Sequence, residues 1–300
     1  MKNIAAPFTC LTFACLFALQ ALPAHAAITV QDDDGKTVTL QKPALRVIAM
    51  APHVTEMLYA AGGAERIVGA VNYSDYPEAA KRLPRIGSNR DIDLERVLAL
   101  KPDLIVVWLH GSSERQIEQI RALGIPMFHS EPHKLDDIAS SLNRLGKLMG
   151  TESVADPVAA DLRRKLAALT ARYANRSPVR MFYQVWDKPL YTLNGTHILS
   201  DVMRLCGGEN VFAAMKITAP VVSFEAVLQE DPEAMVSGER SPSDIGLDLW
   251  KPYPSMTAVK RGNLFRIDGD LLNRSGPRMI KGAEILCDKL DQARQKRPKP

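Results

Sequence analysis

Short apolar runs alternate with helical stretches along most of the chain. Residues 47–50 and 104–108 are apolar runs too short for helices, and a stretch with apolar residues at helical spacing separates them. The same alternation resumes at residues 179–185. Strands that alternate with helices predict parallel sheets covered on both faces, so we expect an α/β fold with central parallel sheets. Ahead of this pattern, residues 28–40 alternate around an Asp-Asp-Gly turn and predict a β-hairpin.

One longer amphipathic stretch divides the chain into two halves. Residues 154–175 carry a single apolar stripe and predict one helix of about six turns at 3.6 residues per turn. We therefore expect a first lobe at residues 27–150, a linking helix at residues 151–177 and a second lobe at residues 178–290. A helix is stiffer than a Gly/Ser linker, so the cleft between the lobes is expected to change only modestly on binding. The stripe consists of Val158, Leu162, Leu166, Leu169 and Tyr173.

Two segments, one in each half, share a helix-to-strand pattern. In residues 93–103 and 223–233, a capping residue is followed by an apolar residue, a Glu and a Pro seven positions after that Glu. The two acids are Glu95 and Glu225. The helix dipole favours a carboxylate in the first turn by about 0.3–1 kcal/mol, which accounts for both residues without a further role. The repeat predicts two similarly built lobes.

The two ends of the chain differ in composition from its body. Residues 1–26 have a basic start, an apolar run and a small-x-small site, which predicts a secretory signal peptide cleaved after Ala26. A membrane anchor is the alternative, but polar residues interrupt the run and leave it short of the roughly 20 apolar residues that a span needs. Cleavage removes one base, Lys2, and lowers the formal net charge from +4 to +3. Four bases and one acid in residues 291–300 account for that excess, so we expect a disordered basic tail and no nucleic-acid partner.

Two cysteines remain in the mature chain, Cys206 and Cys287. In an oxidising compartment a disulfide between them is favoured, because there are only two and their spacing does not suggest a metal site. Two buried thiols are the alternative.

The sequence contains none of the common catalytic motifs, and no catalytic residue is nominated. Four histidines, His53, His110, His129 and His133, fall near predicted strand ends, the edge where open parallel sheets bind ligands. Metal binding would require a converging carboxylate, so exposed loop histidines are the favoured interpretation and no metal site is predicted. His53, which follows the first core strand, is the one candidate metal ligand.

Aromatic residues are few but concentrate on predicted loops and strand ends. Such a cluster fits a cleft for a large, flat, partly apolar molecule, although about half of these residues would serve equally well in an ordinary core. The cluster comprises Tyr73, Tyr76, Trp108, Trp186, Tyr191 and Trp250.

Several of these segments together carry a resemblance. Tyr-Ser-Asp-Tyr-Pro at 73–77, Leu-Glu-Arg at 94–96, Lys-Pro-Asp-Leu at 101–104 and Cys-Gly-Gly-Glu-Asn at 206–210 resemble the periplasmic vitamin B12 receptors of ABC importers. These belong to the wider Fe/B12 periplasmic-binding family with a helical backbone, in which two Rossmann-like lobes are joined by one long α-helix. The resemblance covers nearly the whole mature chain.

The resemblance implies a non-enzymatic periplasmic receptor, monomeric when free and without a cofactor of its own. It would carry cobalamin or a related corrinoid to a permease dimer with its ATPase. Glu95 and Glu225 match the family positions that pair with arginines of the transporter. The positions that match the corrinoid cleft are Tyr73, Trp108, Tyr191, Asp270 and Arg274.

Two positions depart from the family pattern and leave the ligand open. Asn89 and Ala219 stand where that pattern has tryptophans, which implies a wider or wetter cleft. A ferric siderophore or haem is the nearest alternative, and an anionic siderophore would call for several arginines, for which Arg90, Arg274 and Arg278 are candidates. A metal-ion receptor using His53 and an exported hydrolase are the remaining alternatives.

Overall fold

The computed structural model describes residues 27–88, 91–109, 111–239 and 246–298. The predicted signal peptide at 1–26 lies outside these ranges. The predicted alternation of strands and helices is confirmed in the first lobe. Its elements are β1 (Ile28–Gln31), β2 (Thr37–Leu40), β3 (Val47–Ala49), α1 (Pro52–Ala60), β4 (Ile67–Ala70), β5 (Gly87–Ser88), β6 (Asp91–Ile92), α2 (Leu94–Ala99), β7 (Leu104–Val107), α3 (Glu114–Arg121), β8 (Met127–His129) and α4 (Leu135–Met149).

The sheet of the first lobe is parallel, with strand order β4-β3-β7-β8. All residues of β3 and β7 are buried, because helices cover both faces, and their sequences are therefore continuous apolar runs. The predicted hairpin is also confirmed, since β1 pairs antiparallel with β2. Its turn is tied to the last strand by a hydrogen bond from the Asp33 N–H to the His129 carbonyl at 3.1 Å.

A single 22-residue helix, α5 (Glu152–Tyr173), links the lobes, as the apolar stripe predicts. It packs against α1 and α4 of the first lobe and against helices of the second. At its end, the Tyr173 hydroxyl donates to Asp288 at 3.1 Å. Within the described ranges, neither this helix nor any other combines the length and apolarity needed to cross a bilayer.

The second lobe repeats the architecture of the first. Its parallel sheet has the order β12-β9-β13-β14, so each lobe follows the order 2-1-3-4 counted in its own strands. The elements are β9 (Val179–Gln184), β10 (Trp186–Asp187), β11 (Leu190–Tyr191), α6 (Ile198–Leu205), β12 (Gly208–Asn210), α7 (Phe224–Glu230), β13 (Ala234–Glu239), α8 (Thr257–Lys260), β14 (Leu264–Asp268), α9 (Gly269–Leu272) and α10 (Met279–Gln295).

One apolar core is continuous between the lobes. It runs from the first sheet through the buried face of α5, including Leu162 and Leu166, to the second sheet and α10. Two smaller clusters lie one in each lobe, around Ile105 and around Trp250. Trp250 is fully buried and stacks on Phe224 at 4.1 Å, so this aromatic belongs to the core rather than to a cleft.

The predicted disulfide is confirmed and the predicted tail is wrong. Cys206 at the end of α6 is bonded to Cys287 on α10, with the two Cα atoms 4.6 Å apart. Residues 291–298 are not a free tail, because α10 continues to Gln295 and the basic side chains of this segment donate to acceptors of the second lobe. Arg294 donates to the Cys206 carbonyl at 2.7 Å, and Arg297 donates to Glu233 at 2.7 Å.

Candidate functional site

Both sheets present side chains at the carboxyl ends of their strands, and in each sheet the strand order reverses between the two central strands. Open parallel sheets bind ligands at this edge. In the first lobe, β3 runs into α1 with His53, and β7 runs into Trp108. In the second lobe, β9 runs into Trp186, and β14 is followed by Arg274.

Five charged side chains connect the two lobes here, and we call them the inter-lobe cluster. Glu56 and Asp75 come from the first lobe, and Asp270, Arg274 and Arg278 from the second. Arg278 donates to both carboxylate oxygens of Glu56, from Nε at 2.9 Å and from Nη2 at 2.7 Å. Arg274 Nη1 donates to Glu56 at 3.2 Å and to Asp75 at 2.6 Å, and its Nη2 lies 3.1 Å from Asp270.

The cluster is buried at its centre and balanced to within one charge. The side chain of Glu56 is 2% exposed and that of Arg274 is 5% exposed. Three carboxylates face two guanidinium groups, so the formal charge is −1. The hydrogen bonds to Glu56 raise the pKa of Arg278 despite the opposing effect of burial. Both arginines are therefore permanently charged and already paired within the protein.

Two exposed tyrosines lie on either side of Asp75 in the sequence, next to this cluster. Tyr76 lies against Arg278, whose guanidinium carbon is 3.9 Å from the ring centroid. Tyr73 is 75% exposed and adopts a left-handed backbone, with φ of 65°. Non-glycine residues adopt this conformation at a cost, so the surrounding structure must hold it. Arg85 does so in part by donating to carbonyls of this loop, among them that of Ser74 at 3.0 Å.

His53 is buried, so its interpretation as an exposed loop histidine is wrong. It lies in α1 and is 7% exposed, with its Nε2 atom 3.2 Å from the Ser130 carbonyl oxygen. Its ring meets that of Trp108 edge-on, with the centroids 5.7 Å apart. Burial lowers the pKa of His53 to about 4. The imidazole is therefore neutral at physiological pH and supports the position of Trp108.

His129 is also buried, and it joins the hairpin to the edge of the first sheet. Its Nδ1 atom is 2.8 Å from Asp34, and its Nε2 atom is 3.1 Å from Glu131. Burial lowers the pKa of His129, but the two carboxylates outweigh it and raise the pKa overall. Of the other predicted loop histidines, His133 is exposed and His110 lies outside the described residues. In the part of the chain that is described, no group of three or more potential ligands could hold a metal ion.

Trp108 and Tyr191 are both half-buried at the sheet edges. The indole of Trp108 lies against the backbone of Gly111, where an added Cβ would come within 1.9 Å of the ring. Tyr191 lies in β11, directly opposite Trp186 in β10. Each lobe therefore contributes aromatic surface at the carboxyl edge of its sheet.

The repeated acids lie where the pattern predicts, at two equivalent helix starts. Asp93 caps α2 by accepting from the Arg96 N–H at 2.9 Å, and Ser223 caps α7 by accepting from the Ala226 N–H at 3.1 Å. Glu95 and Glu225 occupy the first turns, and both are exposed.

The structure brings together only some of the predicted cleft residues. Asp270 and Arg274 meet in the inter-lobe cluster, whereas their partners Glu56 and Asp75 were not predicted. An acidic residue between the apolar residues Val54 and Met57 of α1 is the signal that could have identified Glu56. Asn89 and Arg90 lie outside the described residues, and Ala219 is exposed.

Comparison with known proteins gives a consistent result over both lobes. Residues 47–271 match the model of a family described as periplasmic binding protein. The chain is 36% identical to a vitamin B12-binding protein of Vibrio cholerae over 254 residues, which is 84% of this chain and 91% of that protein. It is 39% identical to a vitamin B12-binding protein of Yersinia pestis over 246 residues, 82% of this chain and 86% of that one. The crystal structure of the periplasmic vitamin B12-binding protein BtuF of Vibrio cholerae superposes with a TM-score of 0.79 at 36% identity, covering 84% of this chain and 99% of that one.

Proposed function

The chain belongs to the periplasmic binding protein family, and we propose that it captures cobalamin or a related corrinoid between its lobes and delivers it to an ABC importer. In this role it binds and releases its ligand without catalysing a reaction. The similarity to vitamin B12-binding proteins across both lobes supports the ligand class. The observation within the structure that carries the proposal is the inter-lobe cluster of paired charges, with the exposed side chains of Tyr73 and Tyr76 beside it.

The charge balance of the inter-lobe cluster favours a corrinoid over the alternative ligands. Haem and many ferric siderophores carry carboxylates, which form strong charge-assisted hydrogen bonds with Arg and Lys side chains. Arg274 and Arg278, the arginines nominated for that task, are held by three carboxylates of the protein itself. An anionic ligand would have to displace those partners, and uncovering a buried charge costs several kcal/mol. A corrinoid has an edge of neutral amides, which can hydrogen-bond to paired groups without displacing them.

The aromatic residues supply the faces that a flat ring system needs. Tyr73 and Trp108 project from the first lobe, and Tyr191 projects from the second. Aromatic contacts of this kind contribute about 0.5–1.5 kcal/mol each beyond the burial of area. Together with Asp270 and Arg274, they form the proposed ligand site.

Calorimetric titration of the purified mature protein tests the ligand class. We expect cyanocobalamin, hydroxocobalamin and cobinamide to bind and haem and ferric siderophores to bind at least about tenfold more weakly, a difference of 1.4 kcal/mol. Failure of all three corrinoids to bind would refute the proposal. If haem or a siderophore bound more tightly than the corrinoids, that molecule would be identified as the ligand instead.

Glu95 and Glu225 are the proposed contacts with the permease dimer. Their exposure and their equivalent positions support this role, because paired carboxylates at helix starts can meet basic residues of a partner. We expect Glu95→Ala with Glu225→Ala to weaken binding to the permease at low salt and to leave corrinoid affinity unchanged. A matched control is Glu114→Ala with Glu152→Ala, which removes two other exposed acids from the first turns of helices. Equal permease binding by the two double variants would refute the docking role.

Export to the periplasm is the remaining part of the proposal. We expect the protein recovered from the periplasm to begin at Ala27 and to be monomeric in the absence of the importer. Sequencing of the mature amino terminus and light scattering would test these two points. A product that keeps residues 1–26 would contradict the proposed cleavage.

A further inference from the structure

Three apolar side chains lie in a row at the carboxyl end of β9, and we call them the rim ledge. Trp186 in β10 is paired with Tyr191 in β11, and Tyr191 forms an antiparallel bridge with Val221. Directly paired residues of neighbouring antiparallel strands project from the same face. Trp186 is 58% exposed and Val221 is 53% exposed, so the row is open along most of its length.

The backbone beneath the rim ledge is fixed by hydrogen bonds. The N–H groups of Thr192 and Asn194 donate to the carbonyls of Pro220 and Thr218, at 3.1 and 2.9 Å. The indole N–H of Trp186 donates to the carbonyl of Lys188, at 3.1 Å, within its own hairpin. Since this N–H is the only polar group of the indole, its faces are left for apolar contact.

The rim ledge lies at the ligand-binding edge of the second sheet. Trp186 follows β9, one of the two strands between which the strand order reverses, just as Trp108 follows β7 in the first lobe. Arg274, which crosses to the first lobe, follows β14 at the same edge. The row is thus continuous with the proposed ligand site through Tyr191.

The dimensions and chemistry of the row suit one kind of occupant. Two interstrand spacings of about 4.8 Å place Trp186 and Val221 roughly 10 Å apart, a span comparable with a tetrapyrrole-type macrocycle. All three side chains present apolar surface, and Ala219, two residues before Val221, adds no bulk beside it. We infer, on the basis of the proposed function, that the rim ledge contacts the face of the corrin ring and that Trp186 and Val221 are ligand-binding residues.

Substitution of Trp186 tests this inference, with cobinamide and cyanocobalamin as the probes. We expect Trp186→Ala to weaken both ligands about tenfold or more, and Trp186→Phe to keep most of the affinity because it retains an aromatic face. Val221→Glu is expected to weaken binding as well, since it places a charge against the ring. The control is Val154→Ala, which shortens another exposed apolar side chain, on α5 and away from the cleft, and should leave affinity unchanged.

The outcomes separate the rim ledge from the proposed function. If the unaltered protein binds corrinoids and Trp186→Ala binds them equally well, the rim ledge is refuted and the function stands. If Trp186→Ala loses permease binding but keeps corrinoid affinity, the row is a docking surface and the inference is likewise overturned. If the unaltered protein binds no corrinoid, both fail. Circular dichroism of each variant verifies that the fold is retained.

Discussion

Replacing Glu56 with Gln removes the charge at the centre of the inter-lobe cluster while keeping the size of the side chain. The carboxylate accepts two hydrogen bonds from Arg278 and one from Arg274, so three charge-assisted contacts between the lobes are weakened at once. The amide keeps one oxygen acceptor, but its NH₂ group then faces a guanidinium donor.

The expected loss follows from the burial of the partners. Removing one member of a buried ion pair typically costs about 3–5 kcal/mol, because the remaining charge is left uncompensated. Arg274 keeps Asp75 and Asp270 as partners, and Arg278 is 20% exposed and can recover some hydration. We therefore expect a loss near the lower end of that range, about 3 kcal/mol. With a urea slope of about 3 kcal/mol per M, the unfolding midpoint falls by about 1 M.

Urea unfolding of the mature protein measures this loss, with Glu65→Gln as a control at an exposed glutamate of the same lobe. A double-mutant cycle with Arg278→Gln should give a coupling of at least about 1 kcal/mol, as contacting residues do. An unchanged midpoint together with a coupling below about 0.5 kcal/mol would show that the cluster does not hold the lobes together.

Three further predictions concern single features of the fold. Burial lowers the pKa of His53 from 6.5 to about 4, so between these pH values the unfolded chain binds a proton that the folded chain does not. This residue therefore lowers the free energy of unfolding as the pH falls below 6.5, by about 2 kcal/mol at pH 5. His53→Gln should reduce the loss of stability between pH 7 and pH 5, and an unchanged pH dependence would contradict this. Replacing Cys206 and Cys287 together by Ala opens a link between residues 81 apart and should cost about 4 kcal/mol in urea unfolding, whereas an equal midpoint would show that the link contributes nothing. Tyr73→Gly should raise stability by about 1 kcal/mol by relieving the left-handed backbone, and should weaken corrinoid binding in titration; a less stable variant would exclude strain at this position.

The features that the sequence predicts correctly are local or periodic. The alternation of short apolar runs with helical stretches predicts both parallel sheets, and the amphipathic stretch at residues 154–175 predicts α5 to within two residues at each end. The repeated caps predict the starts of α2 and α7. In each case the information lies within a window of one or two elements, where spacing alone determines which face is apolar.

The features that were missed depend on contacts between distant segments. Glu56 and Arg278 are 222 positions apart, and neither has a local pattern that identifies the other. In the sequence, the basic residues near the carboxyl terminus have the composition of a solvated tail. In the fold, α10 places Arg294 against the Cys206 carbonyl. The strand-end positions of His53 and His129 predict exposure, yet the fold buries His53 against the Ser130 carbonyl and His129 against Asp34.

The duplicated helix starts at α2 and α7 have a consequence for any two-fold symmetric partner. Such a partner meets nearly the same capped turn and the same carboxylate in either of two orientations related by a half turn. A ligand held at the proposed site would be presented differently in the two, because the aromatic residues of the lobes differ: Tyr73 belongs to the first lobe and Trp186 to the second. The residues that follow the acids, Arg96 and Ala226, differ by one charge. Selection between the two orientations would rest on small differences such as this one. The duplicated acids would raise the rate of association with the partner without selecting one orientation.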